Sequence, residues 1–374
     1  MRIGIDARPI ESDKPTGIGV YLASVLNYIF KHDKENEYFL FSTRELKGDV
    51  SFDKNVKSVV IPARIGTLWV RYTLPKYIKK YEISLFWGTE HMLPKRVEGV
   101  RYVLTVHDIA LMINKKWGSR KNALMQNMFG KPSIKQADKI ITISESTKRD
   151  LINRLSIKEN KIEAIHIAAN GAPETPLLKT SELTIDKFSC KSGEKYFYYV
   201  GSIEPRKNIE KLIKAFDLFA EDHKDYSLVL AGGLGWRYGK ILKAYENAKN
   251  KASIYFLGYL KLNEKDFLYR NCTAFAFPTN YEGFGIPVLE AMSYGKPVLT
   301  ANNSSLPEIG GDLAFYCESN SIDSIQDAMI KIDSLSINEI EHLSKKEKEH
   351  FKKFSWEKCG EKTLSVLLNE GENQ

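Results

Sequence analysis

The sequence predicts an α/β protein built as two parallel sheets, each covered by helices. Strand and helix signals alternate through both halves of the chain, which is the pattern of repeated β-α-β units. At 374 residues the chain can bury two full cores. Two turns in the second half run from a short apolar strand into a helix and carry glycine beside charged residues, as anion-binding loops do. Apolar content of 43% and charged content of 27% belong to a soluble globular chain rather than a disordered or membrane-embedded one.

Strands in the first half are expected at 2–6, 38–42, 58–62, 84–87, 101–107, 139–144 and 161–165. The chain opens directly into the first of these rather than into a signal peptide, and no stretch approaches the length of a spanning helix. Its four cysteines, Cys190, Cys272, Cys317 and Cys359, form no metal-type pair and read as reduced thiols of a cytoplasmic protein. Gly17-Ile18-Gly19 lies between the first strand and a helix expected over 20–30. A dinucleotide fingerprint wants a third glycine where Leu22 stands, a tighter connection from Asp6, and an acid after the second strand, where Ser42-Thr43 offers none. A nicotinamide oxidoreductase is therefore disfavoured, and Gly17 and Gly19 are left as a close-approach loop.

His107-Asp108 ends the fifth strand of this half. A histidine at that edge beside an acid can bond a ligand or move a proton, or simply brace a loop. Glu145 and Ser146 read as a helix cap. Charge is concentrated here: residues 60–135 hold 14 Lys and Arg against 4 Asp and Glu, interleaved with Trp69, Tyr72, Tyr77, Trp117, Met125 and Phe129. A basic, aromatic helical stretch can lie on an anionic bilayer. Nucleic acid is the rival partner, but no nucleic-acid motif accompanies the charge, and a solvated face is the plain reading.

A polar stretch at 173–195, with Pro173 and Pro176, is the expected linker. Beyond it strands are expected at 196–201, 226–231, 254–257, 274–278, 297–301 and 314–317. Gly201-Ser202-Ile203-Glu204-Pro205-Arg206-Lys207-Asn208 joins the first of these to a helix. It places Arg206 and Lys207 at the strand edge where open α/β sheets bind ligands, and two cations there can neutralise a diphosphate. Asn280-Tyr281-Glu282-Gly283-Phe284-Gly285-Ile286-Pro287-Val288-Leu289-Glu290 follows an apolar strand. Pro287 suits the first turn of a helix, Gly295 its stop, and Glu290 falls about one turn in. A lysine- and glutamate-rich stretch at 339–353 is helical, and a last helix opens at 354–356. No Asp-x-Asp pair and no metal-type histidine spacing occurs, so no catalytic metal and no cofactor is expected.

Together these residues resemble the family four retaining glycosyltransferases of the GT-B fold. Glu282 and Glu290 around Gly283-Phe284-Gly285 resemble that family's most specific motif, and 199–208 its diphosphate loop. Gly17–Tyr21, Val106-His107-Asp108, Ser304-Ser305-Leu306-Pro307-Glu308 and Phe354-Ser355-Trp356-Glu357 resemble lesser ones. The resemblance implies two Rossmann-like domains facing across a cleft, 1–180 for the acceptor and 181–355 for the sugar nucleotide, with 356–374 crossing back to the first. It implies that Glu290 bonds the ribose, that Glu282 approaches the donor sugar, and that Arg206 and Lys207 clamp the diphosphate. The Gly17–Gly19 backbone would help that clamp, and His107 would lie beside the sugar and acceptor. Gly201, Gly283, Phe284, Gly285 and Ile286 would complete the donor site.

What the resemblance implies for the reaction is retaining, metal-free hexosyl transfer to a lipid-linked or polysaccharide acceptor. GDP-mannose is the first choice of donor, with UDP-glucose or UDP-galactose as the alternative. A silent nucleotide-binding protein of the same fold remains a rival of another class.

Overall fold

Strands of the first half are short, apolar on both faces and parallel, so each must be covered by helices on either side. The computed structural model describes residues 1–13, 16–185 and 188–369. The chain divides into two compact units. One is Met1–Ala168 with the segment from Phe354 onward, and the other is Ala169–Lys353.

The first unit holds β1 (Arg2–Asp6), β2 (Glu37–Ser42), β3 (Val56–Val60), β4 (Leu85–Gly88), β5 (Arg101–Val106), β6 (Lys139–Thr142) and β7 (Ile162–Ala164). Their order is β3-β2-β1-β4-β5-β6-β7, and every pairing is parallel. Chain direction across the sheet therefore reverses between β1 and β4. The Gly17–His32 helix follows β1. It begins three residues earlier than expected, because Thr16 caps it by accepting from the Gly19 N–H at 3.3 Å. Gly17-Ile18-Gly19 is thus the first turn of a helix and not a loop. The last helix, Trp356–Leu368, packs on the Gly17–His32 helix so closely that a Cβ on Gly360 would stand 2.4 Å from the Tyr28 ring. Arg101 at the start of β5 donates to Leu367 O at 2.9 Å and Val366 O at 3.1 Å, tying the same helix to the sheet.

In the second unit β10 (Lys195–Val200), β11 (Tyr226–Ala231), β12 (Ile254–Gly258), β13 (Ala274–Phe277), β14 (Val298–Ala301) and β15 (Phe315–Cys317) form a parallel sheet. Its order is β12-β11-β10-β13-β14-β15, with the reversal between β10 and β13. Two features depart from expectation. Within the expected linker, β8 (Glu182–Ile185) and β9 (Phe188–Lys191) pair antiparallel. Leu183 pairs with Cys190 on their buried face, so alternation over only four residues was enough.

The break between units falls at Ala168 rather than near residue 180. Residues just beyond it are bonded into the second unit: Ala172 N donates to Ser293 Oγ at 2.9 Å, Leu177 N to Asp266 Oδ2 at 2.9 Å, and Arg270 to Pro173 O. A buried acid in this unit lacks a hydrogen bond among the described residues. Glu347, on the Ile337–Phe351 helix, is 0% exposed. Neither of its carboxyl oxygens meets a hydrogen-bond partner among the described residues. Burial pushes its pKa well up, against the pull of Lys296 and Lys348.

Candidate active site

In an open parallel sheet, loops that leave the strand ends on either side of the order reversal diverge and leave a crevice for a ligand. In the second unit those loops follow β10 and β13, and they carry both charged motifs. Gly201 leaves β10 with φ +151°, a value that suits glycine. The Pro205–Lys207 turn then ends at Asn208, left-handed at φ +61°. The Asn208 amide donates to Pro278 O at 2.9 Å and Ser319 O at 2.8 Å, and Asn280 N donates to Arg206 O at 2.9 Å. The two loops are thereby fastened together.

Their charged ends meet. Lys207 Nζ lies 2.7 Å from Glu282 Oε1 and 5.0 Å from the centre of the Phe277 ring. Arg206 Nη1 lies 3.2 Å from Glu282 Oε2 and donates to Tyr281 O at 2.9 Å, while Nη2 lies 3.2 Å from Glu204. Glu282 is 8% exposed and Lys207 9%. Burial opposes the charge of Glu282, but Arg206 and Lys207 outweigh it and hold the carboxyl below its usual range. Burial also lowers the Lys207 ammonium, partly offset by Glu282 and reinforced by Arg206.

The turn between the two glutamates is shaped by backbone and serine. Gly285 caps the Ile286–Ser293 helix at φ +111°, with Pro287 in its first turn as expected. Ser304 Oγ accepts from Glu282 N at 3.0 Å. Ser305 Oγ donates to Phe284 O at 2.6 Å and lies 3.0 Å from Glu282 O. From sequence, Ser304-Ser305 stood only as part of a lesser motif of the family it resembles. Here both hydroxyls brace the Glu282–Phe284 turn. Phe284 is buried, Gly283 lies within the turn, and Ile286 starts the helix half-buried. Glu290 sits in mid-helix, and its carboxylate is engaged by Lys265 at 2.8 Å and by the Tyr269 hydroxyl at 3.0 Å. Neither partner was singled out from sequence. Both lie on the Leu262–Asn271 helix, four residues apart and so on one face, which a helical wheel could have shown.

The first unit has its own crevice, where β1, β4 and β5 end. His107, just past β5, is 6% exposed and bonds Thr89 O through Nε2 at 2.9 Å. A carbonyl only accepts, so Nε2 carries the hydrogen, and in the neutral ring Nδ1 is an acceptor. Burial, then His91, lower its pKa to about 4, so the ring is neutral near pH 7. It can take a hydrogen bond there but holds no proton to give. Asp108, beside it, accepts from Ala110 N at 2.8 Å and caps a short helix. Nearby, Asp6 is fully buried and grips Arg8, at 2.8 Å from Nε and 2.6 Å from Nη2. Arg8 in turn lies 5.7 Å over the Trp69 ring. Gly17 is exposed and Gly19 buried within their helix turn.

The basic stretch at 60–135 is sorted by this fold. Trp69 turns into the core, correcting its placement among surface aromatics, while Ile65, Leu68, Tyr72, Leu124 and Met128 are exposed. Among the described residues no helix is long and apolar enough to cross a membrane.

Residues 181–350 match the family model for glycosyl transferases group 1, and residues 16–170 match the one for glycosyltransferase family 4. The chain is a family 4 glycosyltransferase. Its activity is hexosyl transfer, and its fold is GT-B. This glycosyltransferase is 29% identical over 293 residues to O-antigen chain mannosyltransferase B of Escherichia coli, covering 77% of this chain and 75% of that one. To the serotype-specific mannosyltransferase WbdA of Escherichia coli it is 32% identical over 217 residues, spanning 56% of this chain but 26% of that longer protein. Among solved structures it is similar to WaaG, a glycosyltransferase involved in lipopolysaccharide biosynthesis. The TM-score is 0.72, with 14% identity over 98% of this chain and 99% of that one. Sucrose-phosphate synthase from Thermosynechococcus elongatus gives a TM-score of 0.73 and 15% identity over 99% of both. Identities that low speak for the fold of the glycosyltransferase alone.

Proposed function

We propose that this glycosyltransferase transfers mannose from GDP-mannose, with retention and without a metal, to a lipid-linked or polysaccharide acceptor in surface-glycan assembly. The observation that carries the donor half is the meeting of Arg206, Lys207 and Glu282 at the second sheet's order reversal, beside the helix that bears Glu290. Arg206 and Lys207 clamp the diphosphate and meet the charge that develops on it as the glycosidic bond breaks. Glu282 approaches the sugar hydroxyls, and Glu290 accepts from the ribose. Backbone at Gly201 and at Gly283–Ile286 lines the donor. His107 accepts a hydrogen bond from a substrate hydroxyl through Nδ1. With a pKa near 4 that ring is a weak base, and the departing phosphate itself takes the acceptor's proton in a front-face transfer. The names of the mannosyltransferase relatives support the sugar. The exposed Ile65, Leu68, Tyr72, Leu124 and Met128, set among lysines and arginines, support docking on an anionic cytoplasmic membrane surface.

The deciding experiment is a panel of GDP- and UDP-sugars scored by melting-temperature shift and by transfer, repeated with EDTA. GDP-mannose should stabilise most, and EDTA should leave transfer intact. A larger shift with UDP-glucose or UDP-galactose replaces the donor, loss of transfer in EDTA ends the metal-free claim, and a shift without transfer favours a silent nucleotide-binding protein. Sedimentation with anionic liposomes at low salt tests the membrane face, and no co-sedimentation removes it.

A further inference from the structure

Glu290 does not face its ligand alone. Lys265 Nζ stands 2.8 Å from each of its carboxylate oxygens, and the Tyr269 hydroxyl donates to Oε2 at 3.0 Å. Both residues project from one face of the Leu262–Asn271 helix, a full turn apart. Tyr269 cannot move. It is buried, its ring stacks on Tyr294 at 5.0 Å, and it meets Tyr198 edge-on at 5.0 Å. Tyr294 is held in turn by its hydroxyl on Asp266 at 3.0 Å, and Asp266 also grips Arg270 at 2.9 Å. The carboxylate is thus held by one partly exposed cation and one buried hydroxyl.

We propose that Lys265 and Tyr269 are positioning residues for the nucleotide ribose, acting through Glu290. The inference rests on Glu290 being the ribose acceptor. A carboxylate offers about four lone-pair sites; Lys265 on both oxygens and Tyr269 on Oε2 take three, which leaves one on Oε1 for a hydroxyl donor. A free glutamate would have to give up its rotamers to receive a ribose hydroxyl, whereas this one is already oriented. Its charge would also repel the neighbouring diphosphate, and Lys265 cancels that repulsion while leaving the acceptor oxygens in place. The pair is mostly covered, with side chains 28% and 14% exposed, so melting temperature is followed beside affinity to separate positioning from a structural role.

The test is a chemical double-mutant cycle by calorimetry. Affinities of GDP and UDP, and of their 2′,3′-dideoxy forms, are measured on the wild-type chain, K265M, K265R, Y269F and E290Q. With the nucleotide that binds better, K265M should lose about ten-fold for the ribose form, the scale of one charge-assisted hydrogen bond, and little for the dideoxy form. K265R should recover most of the loss, Y269F should lose less than K265M, and melting temperatures should stay together. In turnover, K265M should raise KM for the donor with kcat nearly unchanged. If E290Q loses ribose discrimination while K265M keeps it, the positioning role is wrong and the ribose role of Glu290 stands. If E290Q discriminates as the wild type does, or neither nucleotide binds, the underlying reading fails as well.

Discussion

The two sheets share one strand order through six strands, yet their order reversals are furnished differently. In the second unit two cations, Arg206 and Lys207, converge on one carboxylate and stay near the strand ends. In the first unit the cation at the same topological place, Arg8, is taken up by a fully buried Asp6 and lies 3.9 Å from Glu90 past β4, and a neutral histidine stands one strand further on, past β5. Identical backbone architecture therefore presents two cations among two acids, Glu282 and Glu204, in one unit and one cation held by a buried acid in the other. Ligand class is set by the residues at the strand edges, not by the fold.

Removing Lys207 should break this contrast most severely. K207A should cost roughly 10²–10³-fold in kcat, the range for one preorganised charge facing a developing anion. Retention of more than a tenth of wild-type turnover would show that the diphosphate is held elsewhere. Next in size is the stability of the charge cluster. Stripping one partner from a buried pair costs about 3–5 kcal/mol, because the other is left uncompensated. E282A should therefore melt well below wild type, and E282A with K207A should recover part of the loss. Strictly additive losses in denaturant titrations would mean that the pair is not coupled.

His107 gives a smaller effect and sharpens the other side of the comparison. A histidine whose folded pKa lies near 4, below the ordinary value of 6.5, gives up stability as pH falls from about 6.5 to 4, since the unfolded chain takes the proton first. Its ring resonances should titrate near 4, and H107A should lower kcat/KM by about ten-fold, one hydrogen bond's worth, without moving an alkaline limb. Titration near 6.5 would restore it as a proton donor. The smallest effect is at Glu347. A raised carboxyl contributes stability that is present below its unfolded pKa and lost as pH rises through the folded value. E347L should stabilise by about 1–2 kcal/mol at pH 8 and by less at pH 5. An equal gain at both pH values would mean that the carboxyl is ionised in the folded chain.

The second sheet was legible because its strands are uniformly apolar and its loops announce themselves: Gly201 before Arg206-Lys207, and Gly285-Ile286-Pro287 after Glu282. Local chemistry decides such turns, so local sequence reveals them. The β8–β9 pair hid because four-residue strands carry too little alternation to stand out from a polar linker. Lys265 and Tyr269 hid for another reason. Their role exists only once two helices are packed together, and nothing in residues 262–271 names Glu290 as the partner. Trp69 was misplaced because a basic, aromatic stretch does not say which of its rings turns inward. The helix start at Gly17 was missed although Thr16 is an ordinary cap, since two glycines read more naturally as a loop.

The Trp356–Leu368 helix, locked through Gly360 onto Tyr28 and through its final carbonyls onto Arg101, has a consequence for how the chain is made. A domain normally becomes complete soon after its last residue leaves the ribosome. Here the first domain must wait, with the face around Tyr28 uncovered, while the whole of the second is synthesised. The second, Ala169–Lys353, is contiguous. Order of emergence and order of completion are therefore reversed, and the unit begun first is finished last.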